Sequence, residues 1–384
     1  MLTGGIPMLL INTNAFIDGD FRPRTCIRLN DEMITGLGPD LLPLPGETVC
    51  DAGGDYVLPG FVDVHIHGCS GYDTMNGAAD VAGMARYLGS CGVAAFLPTT
   101  MTASAEATRS ALSGISEAMR TRCPGSAFIA GTHMEGPFLA AERCGAQDPS
   151  FLRLPSEEMW KEYTGDHSGI VRIVTLAPEL VGADDLIRVL AGGGITVSAG
   201  HSSASAEELH SAADLGLSHA THLFNAQSAL HHRKPGLPGA ALTDARVVCE
   251  MICDGIHLHP DTVRLICTAK GPSGAIAVTD AMEAAGMPDG TYSLGGQAVT
   301  VQGGSARLAD GTLAGSVLHM KDAFTNLLAW GIPPEQAVPM CTSSPADSVG
   351  LTEFGRIRIG NKGCLTRWDA GWRMCEVIRW FRDR

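Results

Sequence analysis

Positive charge is scarce in this chain: 27 Lys and Arg stand against 41 Asp and Glu among 384 residues, a formal net charge of −14 at pH 7. No basic stripe occurs anywhere. Binding along a nucleic acid backbone needs clustered positive charge, so nucleic acid is excluded as the main partner. Charge of either sign is sparse, at 18%, whereas hydrophobic residues make up 45%. That balance describes a globular chain with a large core and excludes general disorder. No apolar stretch approaches the ~20 residues a transmembrane helix needs. The N-terminal MLTGGIPMLLINTNAF has no basic n-region, so neither a signal peptide nor a membrane span is expected. Among the twelve cysteines there is no CxxC pair, and the closest two, Cys249 and Cys253, lie in the apolar run VVCEMIC. They read as buried free thiols of a protein in the reducing cytoplasm. No G-x-G-x-x-G and no P-loop follows any strand-like run, which argues against nucleotide binding.

Glycine, by contrast, is abundant: 47 of 384 residues, about 12% against a usual ~7%, as suits many tight turns. The length allows one large α/β domain with a smaller one, or two to three ordinary domains. The first ~57 residues read as short strands separated by turns. From Leu58 onward, apolar runs alternate with stretches of helical period: FVDVHI (61–66), VAAFLP (93–98), AFIAGT (127–132), IVRIVTL (170–176), ITVSA (195–199), SHATHLF (218–224), VVCEMIC (247–253) and AIAVT (275–279). Helical candidates between them include AADVAGMARYLGSCG, SAEATRSALSGISEAMR and SAEELHSAADLG. Eight β-runs joined by helical crossovers predict an α/β fold, a closed (β/α)₈ barrel of the TIM type. A hairpin-like insertion, TYSLGGQAVTVQGGSARLADGTLAGS, follows the eighth run, and helices are expected at 319–330 and 334–343. Neither terminal segment has enough strands to bury a sheet face alone. Residues 1–57 and 346–384 are therefore expected to pair into a small β-sandwich domain beside a barrel spanning 58–345.

Active sites of such barrels occupy the C-terminal ends of the strands, and reactive residues cluster there in this sequence. His65 and His67 end the first run, Glu135 lies just after the third, His201 follows the fifth, His222 ends the sixth, His257 follows the seventh and Asp280 ends the eighth. The His-x-His pair of a strand places both imidazoles on one face. Imidazole and carboxylate are suitable ligands for Zn²⁺ or Fe²⁺, and a coordinated water at such an ion is acidified toward neutrality. Asp280, on another strand of the same mouth, is free to carry the proton. Spacing alone thus points to metal-assisted hydrolysis of a C–N or C–O bond.

The segments LPGFVDVHIHG, THMEGPFL, VSAGHSSAS, THLFNAQSALHHRKPG, CDGIHLHP, VTDAMEAAGMPDGTYSLGG and DGTLAGS, in this order, resemble the N-acetylglucosamine-6-phosphate deacetylase family of the amidohydrolase superfamily. The resemblance runs over roughly residues 55–360, and its motifs separate this family from dihydroorotases, ureases and adenine deaminases. It implies that Glu135, His201 and His222 are the main metal ligands, and that Asp280 is the catalytic acid/base. His65 and His67 match a strand-one pair that some members keep and others replace, so one or two divalent cations per subunit are implied: Zn²⁺ foremost, with Fe²⁺, Co²⁺ or Mn²⁺ as alternatives. Asn225 and Ala226 match positions that contact the sugar phosphate, and Ala146 another substrate contact. Arg233 and His257 match a phosphate-binding pair, which in this family is shared across a homodimer. Leu313, Ala314 and Gly315 match a loop lining the acetamido end. The implied reaction is hydrolysis of N-acetylglucosamine 6-phosphate to glucosamine 6-phosphate and acetate, in amino-sugar catabolism and cell-wall recycling. Deacylation or deamination of a related substrate, such as N-acetylgalactosamine 6-phosphate, is the alternative. Two departures stand out: Gln147 occupies a position where His is common, and Cys364, Thr366 and Arg367 replace acidic and apolar strand residues, so a less regular edge is expected in the tail.

Overall fold

The computed structural model describes residues 7–30, 32–121 and 123–379; residues 1–6, the start of the segment read as lacking a signal peptide, lie outside them. All eight expected β-runs form strands of one parallel barrel: Phe61–Ile66, Val93–Thr100, Thr132–Glu135, Val171–Leu176, Thr196–Ala199, Leu217–Ala220, Val248–Ile252 and Ala275–Val278. Each pairs with the next in sequence order. The ring closes where Asp280 N donates to His65 O (2.8 Å) and His67 N donates to Ala281 O (2.8 Å). The first two strands are buried at every residue, as in a sheet covered on both faces, which is why they read as continuous apolar runs rather than as alternation.

The third strand departs from the expected register. The run AFIAGT breaks at Gly131 (φ 131°), where a Cβ would lie 2.6 Å from Ile170 O. Phe128–Ile129 pairs with the second strand before the break, and Thr132–Glu135 begins after it. Glu135 is consequently the last residue of its strand, held in the sheet.

Helices Ala78–Ser90, Ala105–Arg120, Ala183–Gly192, Ala206–Asp214, Pro260–Gly274, Met320–Ala329 and Pro334–Cys341 form the outer layer where helical period was read. Ser205 and Glu208 cap the fourth of these reciprocally, satisfying two end donors. Gly236–Thr243 is a helix that periodicity does not reveal, because GLPGAALT is buried nearly all round and has no polar face. The insertion after the eighth strand folds as a three-stranded antiparallel sheet, Gly290–Leu294, Gln297–Gln302 and Ser305–Arg307, packed over the barrel mouth by Leu294, Val299 and Val301 against Met101 and Met282.

The two terminal segments share one seven-stranded sheet. Met8–Ile17 pairs with Asp20–Asn30, Thr48–Asp51 and Tyr56–Pro59, and the last of these accepts Leu365–Trp368 from the tail. The tail hairpin has one register shift, between Arg367 and Trp368. Aromatic residues make up only 5% of the chain, yet Phe16, Phe21, Tyr56, Phe61, Phe324, Trp368 and Trp372 form one connected series of ring contacts, with centroids 4.4–6.1 Å apart, between this sheet and the barrel. Phe324 is fully buried and touches Phe61, Trp368 and Trp372. Phe324→Ala is expected to cost about 3–5 kcal/mol, visible as a lower midpoint in denaturant unfolding; an unchanged midpoint would show that the two parts do not rely on this contact.

Candidate active site

The candidate ligands are delivered by the ends of five strands, and three arrive in unusual backbone conformations. His201 (φ 48°), His222 (φ 29°) and Asp280 (φ 48°) all occupy the left-handed region, which costs of order 1–3 kcal/mol at a non-glycine residue and is found where surrounding structure holds it. Each lies two residues beyond its strand, so the turn directs the side chain into the mouth. Beside two of the ligands the chain must be small: a Cβ on Gly200, before His201, would meet Thr175 and Thr221 at 2.7 Å, and one on Gly136, after Glu135, would lie 2.1 Å from Thr102 Oγ1.

The side chains converge on Glu135. Its Oε1 lies 3.1 Å from His222 Nε2, 3.2 Å from His201 Nε2 and 3.6 Å from His65 Nε2; its Oε2 lies 3.3 Å from His67 Nε2. Asp280 Oδ1 is 3.4 Å from His65 Nε2 and 3.2 Å from His67 Nε2. Two ligand groups result, Glu135–His201–His222 and His65–His67–Asp280, all buried. Three of the four imidazoles have the far nitrogen occupied: His65 Nδ1 by Glu250 Oε2 (3.0 Å), His67 Nδ1 by Thr99 O (3.2 Å) and His201 Nδ1 by Arg143 O (2.8 Å). Those acceptors require N–H at Nδ1, so Nε2 is the nitrogen each ring turns inward.

This arrangement fits a divalent cation. Nε2 of His201 and His222 approach to 3.1 Å, and those of His65 and His67 to 3.3 Å, separations at which facing lone pairs repel unless a positive charge lies between them. The site also favours positive charge electrostatically. Burial opposes protonation of His65 and His67, but Asp280 and Glu135, with Glu250 for His65, outweigh it and push the rings up to about 9 and about 10. Burial likewise opposes the Asp280 carboxylate, and His65, His67 and His222 outweigh it, drawing it down to about 2. Glu135 is held well below the usual carboxylate range by His65, His201 and His222 against its burial.

A cavity of about 360 Å³ opens above the cluster. It is lined by His67, Glu135, His201, His222 and Asp280, and by six other residues singled out in the sequence: Ala146, Asn225, Ala226, His257, Leu313 and Gly315. His65 lies behind His67, and Ala314 is buried in the apolar cluster under the insertion. Arg233 is not part of this cavity. It faces a second one of about 570 Å³ with Ser203, Ser205 and Lys234, and its Nη1 contacts His232 Nε2 at 2.7 Å. Arg143, which sequence reasoning passed over, lines the active cavity instead. Gln147 was read as a departure; it donates to Glu135 Oε2 (2.6 Å) and accepts from Thr102 N (2.7 Å). Glu250 was also missed, though a lone acid in the apolar run VVCEMIC was a legible signal. His257 is held by Asp254 through Nδ1 (2.7 Å), which leaves Nε2 free of that contact. No helix among the described residues is long and apolar enough to cross a membrane.

A (β/α)₈ barrel with this ring of His, Glu and Asp at its strand ends defines a metal-dependent hydrolase. The chain belongs to the amidohydrolase family, whose model matches residues 56–380. It is 41% identical over 363 residues to an N-acetylglucosamine-6-phosphate deacetylase of Bacillus subtilis (strain 168), covering 92% of this chain and 90% of that protein. It is 34% identical over 354 residues to an N-acetylgalactosamine-6-phosphate deacetylase of Escherichia coli O157:H7, covering 91% and 92%. Among solved structures, a variant of the N-acetyl-D-glucosamine-6-phosphate deacetylase of Mycobacterium smegmatis in complex with N-acetyl-D-glucosamine-6-phosphate superposes with a TM-score of 0.91 at 30% identity, covering 98% of both chains.

Proposed function

We propose that this enzyme hydrolyses N-acetylglucosamine 6-phosphate to glucosamine 6-phosphate and acetate, serving amino-sugar catabolism and cell-wall recycling in the cytoplasm. The observation that carries the reading is the placement of Asp280 beside both ligand groups at the floor of a cavity that also holds Arg143 and His257. Glu135, His201 and His222 hold the principal cation, and His65 and His67 with Asp280 offer a second position; Zn²⁺ fits this donor set first, with Fe²⁺, Co²⁺ and Mn²⁺ as alternatives. A cation so held supplies Lewis acidity, polarising the amide carbonyl and acidifying water. Asp280, ionised in the resting site, accepts a proton from the attacking water. It returns that proton to the sugar nitrogen as the C–N bond breaks, releasing amine and acetate. The backbone of Ala226 and Ala146 and the side chain of Asn225 orient the sugar, and Leu313–Gly315 flank the acetamido methyl. The buried Cys26, Cys69, Cys249, Cys253, Cys267 and Cys341 are free thiols, which suits a reducing compartment.

The phosphate end requires local positive charge in a protein of net charge −14. Arg143 supplies it from within the cavity, beside the His257 imidazole, and Arg233, outside the active cavity of its own chain, reaches the phosphate of a neighbouring subunit in a homodimer. Two charge-assisted contacts at ~1.5–3 kcal/mol each predict that unphosphorylated N-acetylglucosamine loses about 10²–10⁴ in kcat/KM, measured as acetate release. Equal turnover of the two sugars would remove the roles given to Arg233 and His257. N-acetylgalactosamine 6-phosphate belongs in the same assay, because a relative with that activity is 34% identical; faster turnover of it would make the galacto sugar the substrate.

A further inference from the structure

Below the ligands lies a buried carboxylate that the mechanism does not use. Glu250, in the seventh barrel strand, is fully buried. Its Oε2 accepts from His65 Nδ1 (3.0 Å) and from the backbone N–H of His222 (3.1 Å). Its Oε1 has no hydrogen-bond partner and lies 3.6 Å from His219 Nδ1. One carboxylate is therefore joined to a ligand of each group: to the ring of His65 in one, and to the main chain that turns His222 into the other.

His65, His133 and Glu250 also lie close enough to be read as a third ligand triple. His133 rules that out as a cation site, since both its ring nitrogens are engaged, Nδ1 with Val64 O (3.1 Å) and Nε2 with Thr175 Oγ1 (2.7 Å). What remains for Glu250 is orientation. A carboxylate accepts only, so His65 must present N–H at Nδ1, which makes Nε2 the nitrogen available to a cation; it faces His67 Nε2 and Asp280 Oδ1. Without that acceptor, His65 could exchange tautomer and turn its donor face inward, and the pair with His67 would no longer chelate.

We propose that Glu250 is a positioning residue that makes the His65–His67–Asp280 position competent to bind a second cation, by holding the His65 ring in its ligating tautomer. This rests on the metal-dependent reading above and decides between one and two ions per chain. Partners of this kind typically alter metal affinity by about 10–100-fold when replaced.

The test uses the full chain stripped of metal and titrated with Zn²⁺ against a chromophoric chelator. The wild-type chain is expected to bind two Zn²⁺. Glu250→Gln, which keeps the size of the side chain and an oxygen for the His222 N–H but replaces the charge-assisted bond to His65 Nδ1 by a weaker neutral one, is expected to bind the first as tightly as wild type and the second about 10–100-fold more weakly. Glu250→Asp, which keeps the charge at shorter reach, is expected to lie between them, and it supplies the reading if the amide variant does not fold. In a His65→Gln background, Glu250→Gln should weaken second-ion binding no further, whereas a merely structural role would add its own loss. Two ions bound equally by wild type and Glu250→Gln, or a wild-type stoichiometry of one, would overturn the proposal. The titration needs no sugar, so failure to release acetate from N-acetylglucosamine 6-phosphate would count against the substrate and leave this result standing.

Discussion

Asp280→Asn is expected to abolish turnover while leaving the fold and the cation at Glu135, His201 and His222 in place. The structural half of that expectation follows from the backbone. Asp280 occupies φ 48°, a region in which Asn is among the most tolerated non-glycine residues. Its N–H donates to His65 O, and its carbonyl accepts from Ser316 N (2.7 Å); both contacts survive the change. The chemical half follows from what an amide lacks: it cannot take a proton from water and return it to nitrogen. General acid/base catalysis contributes about 10²–10⁴-fold, so kcat should fall by at least that factor with KM little changed. Elemental analysis showing that the ion at Glu135, His201 and His222 is retained, with a melting curve matching wild type, would assign the loss to chemistry. Near-wild-type turnover would remove Asp280 from the acid/base role.

The barrel and its reactive rim were legible in the sequence because both obey short-range rules. Parallel strands covered on two faces read as near-continuous apolar runs, which marked all eight, and reactive side chains of a barrel enzyme gather at the ends of those runs, which marked Glu135, His201, His222 and Asp280 as candidates. What escaped depends on three-dimensional closure. Helix Gly236–Thr243 has no polar face to betray it. At the Gly131 break the chain entering the fourth strand passes so close that a Cβ would lie 2.6 Å from Ile170 O. Arg143 and Arg233 are both cations on loops near strand ends, and no rule of spacing says which faces the cavity; the path of the chain after Glu135 brings Arg143 in, while a turn closed by His231 and Lys234 (2.9 Å) carries Arg233 away. Gln147 and Glu250 matter through what they touch, and those contacts span the barrel. The charge of −14, which spoke against nucleic acid, says little about a pocket whose floor is arranged to attract positive charge and whose rim carries Arg143 and His257.

Glu135→Ala is expected to have the second large effect, and to act through binding rather than proton transfer. Glu135 lies within 3.6 Å of all four imidazoles, through its two oxygens. Without it, His201 and His222 cannot complete a three-ligand site, and the Nε2 lone pairs 3.1 Å apart lose the carboxylate that helps to gather a cation between them. Lewis-acid assistance is worth several kcal/mol of barrier, and each ~1.4 kcal/mol is tenfold in rate, so activity should fall by about 10³-fold or more. The unfolding behaviour separates this from a simple packing loss. For the wild-type chain, Zn²⁺ at 100 times its Kd should add about 2.7 kcal/mol of stability, raising Tm over the chelated form. The variant should lose that response altogether. Its chelated form should also be weaker than chelated wild type by about 1–3 kcal/mol, since the buried Gln147 Nε2 loses its 2.6 Å acceptor. Retention of a Zn²⁺-dependent rise in Tm by Glu135→Ala would show that the remaining imidazoles hold the ion without the carboxylate, and the principal site would then have to be reassigned to His65, His67 and Asp280.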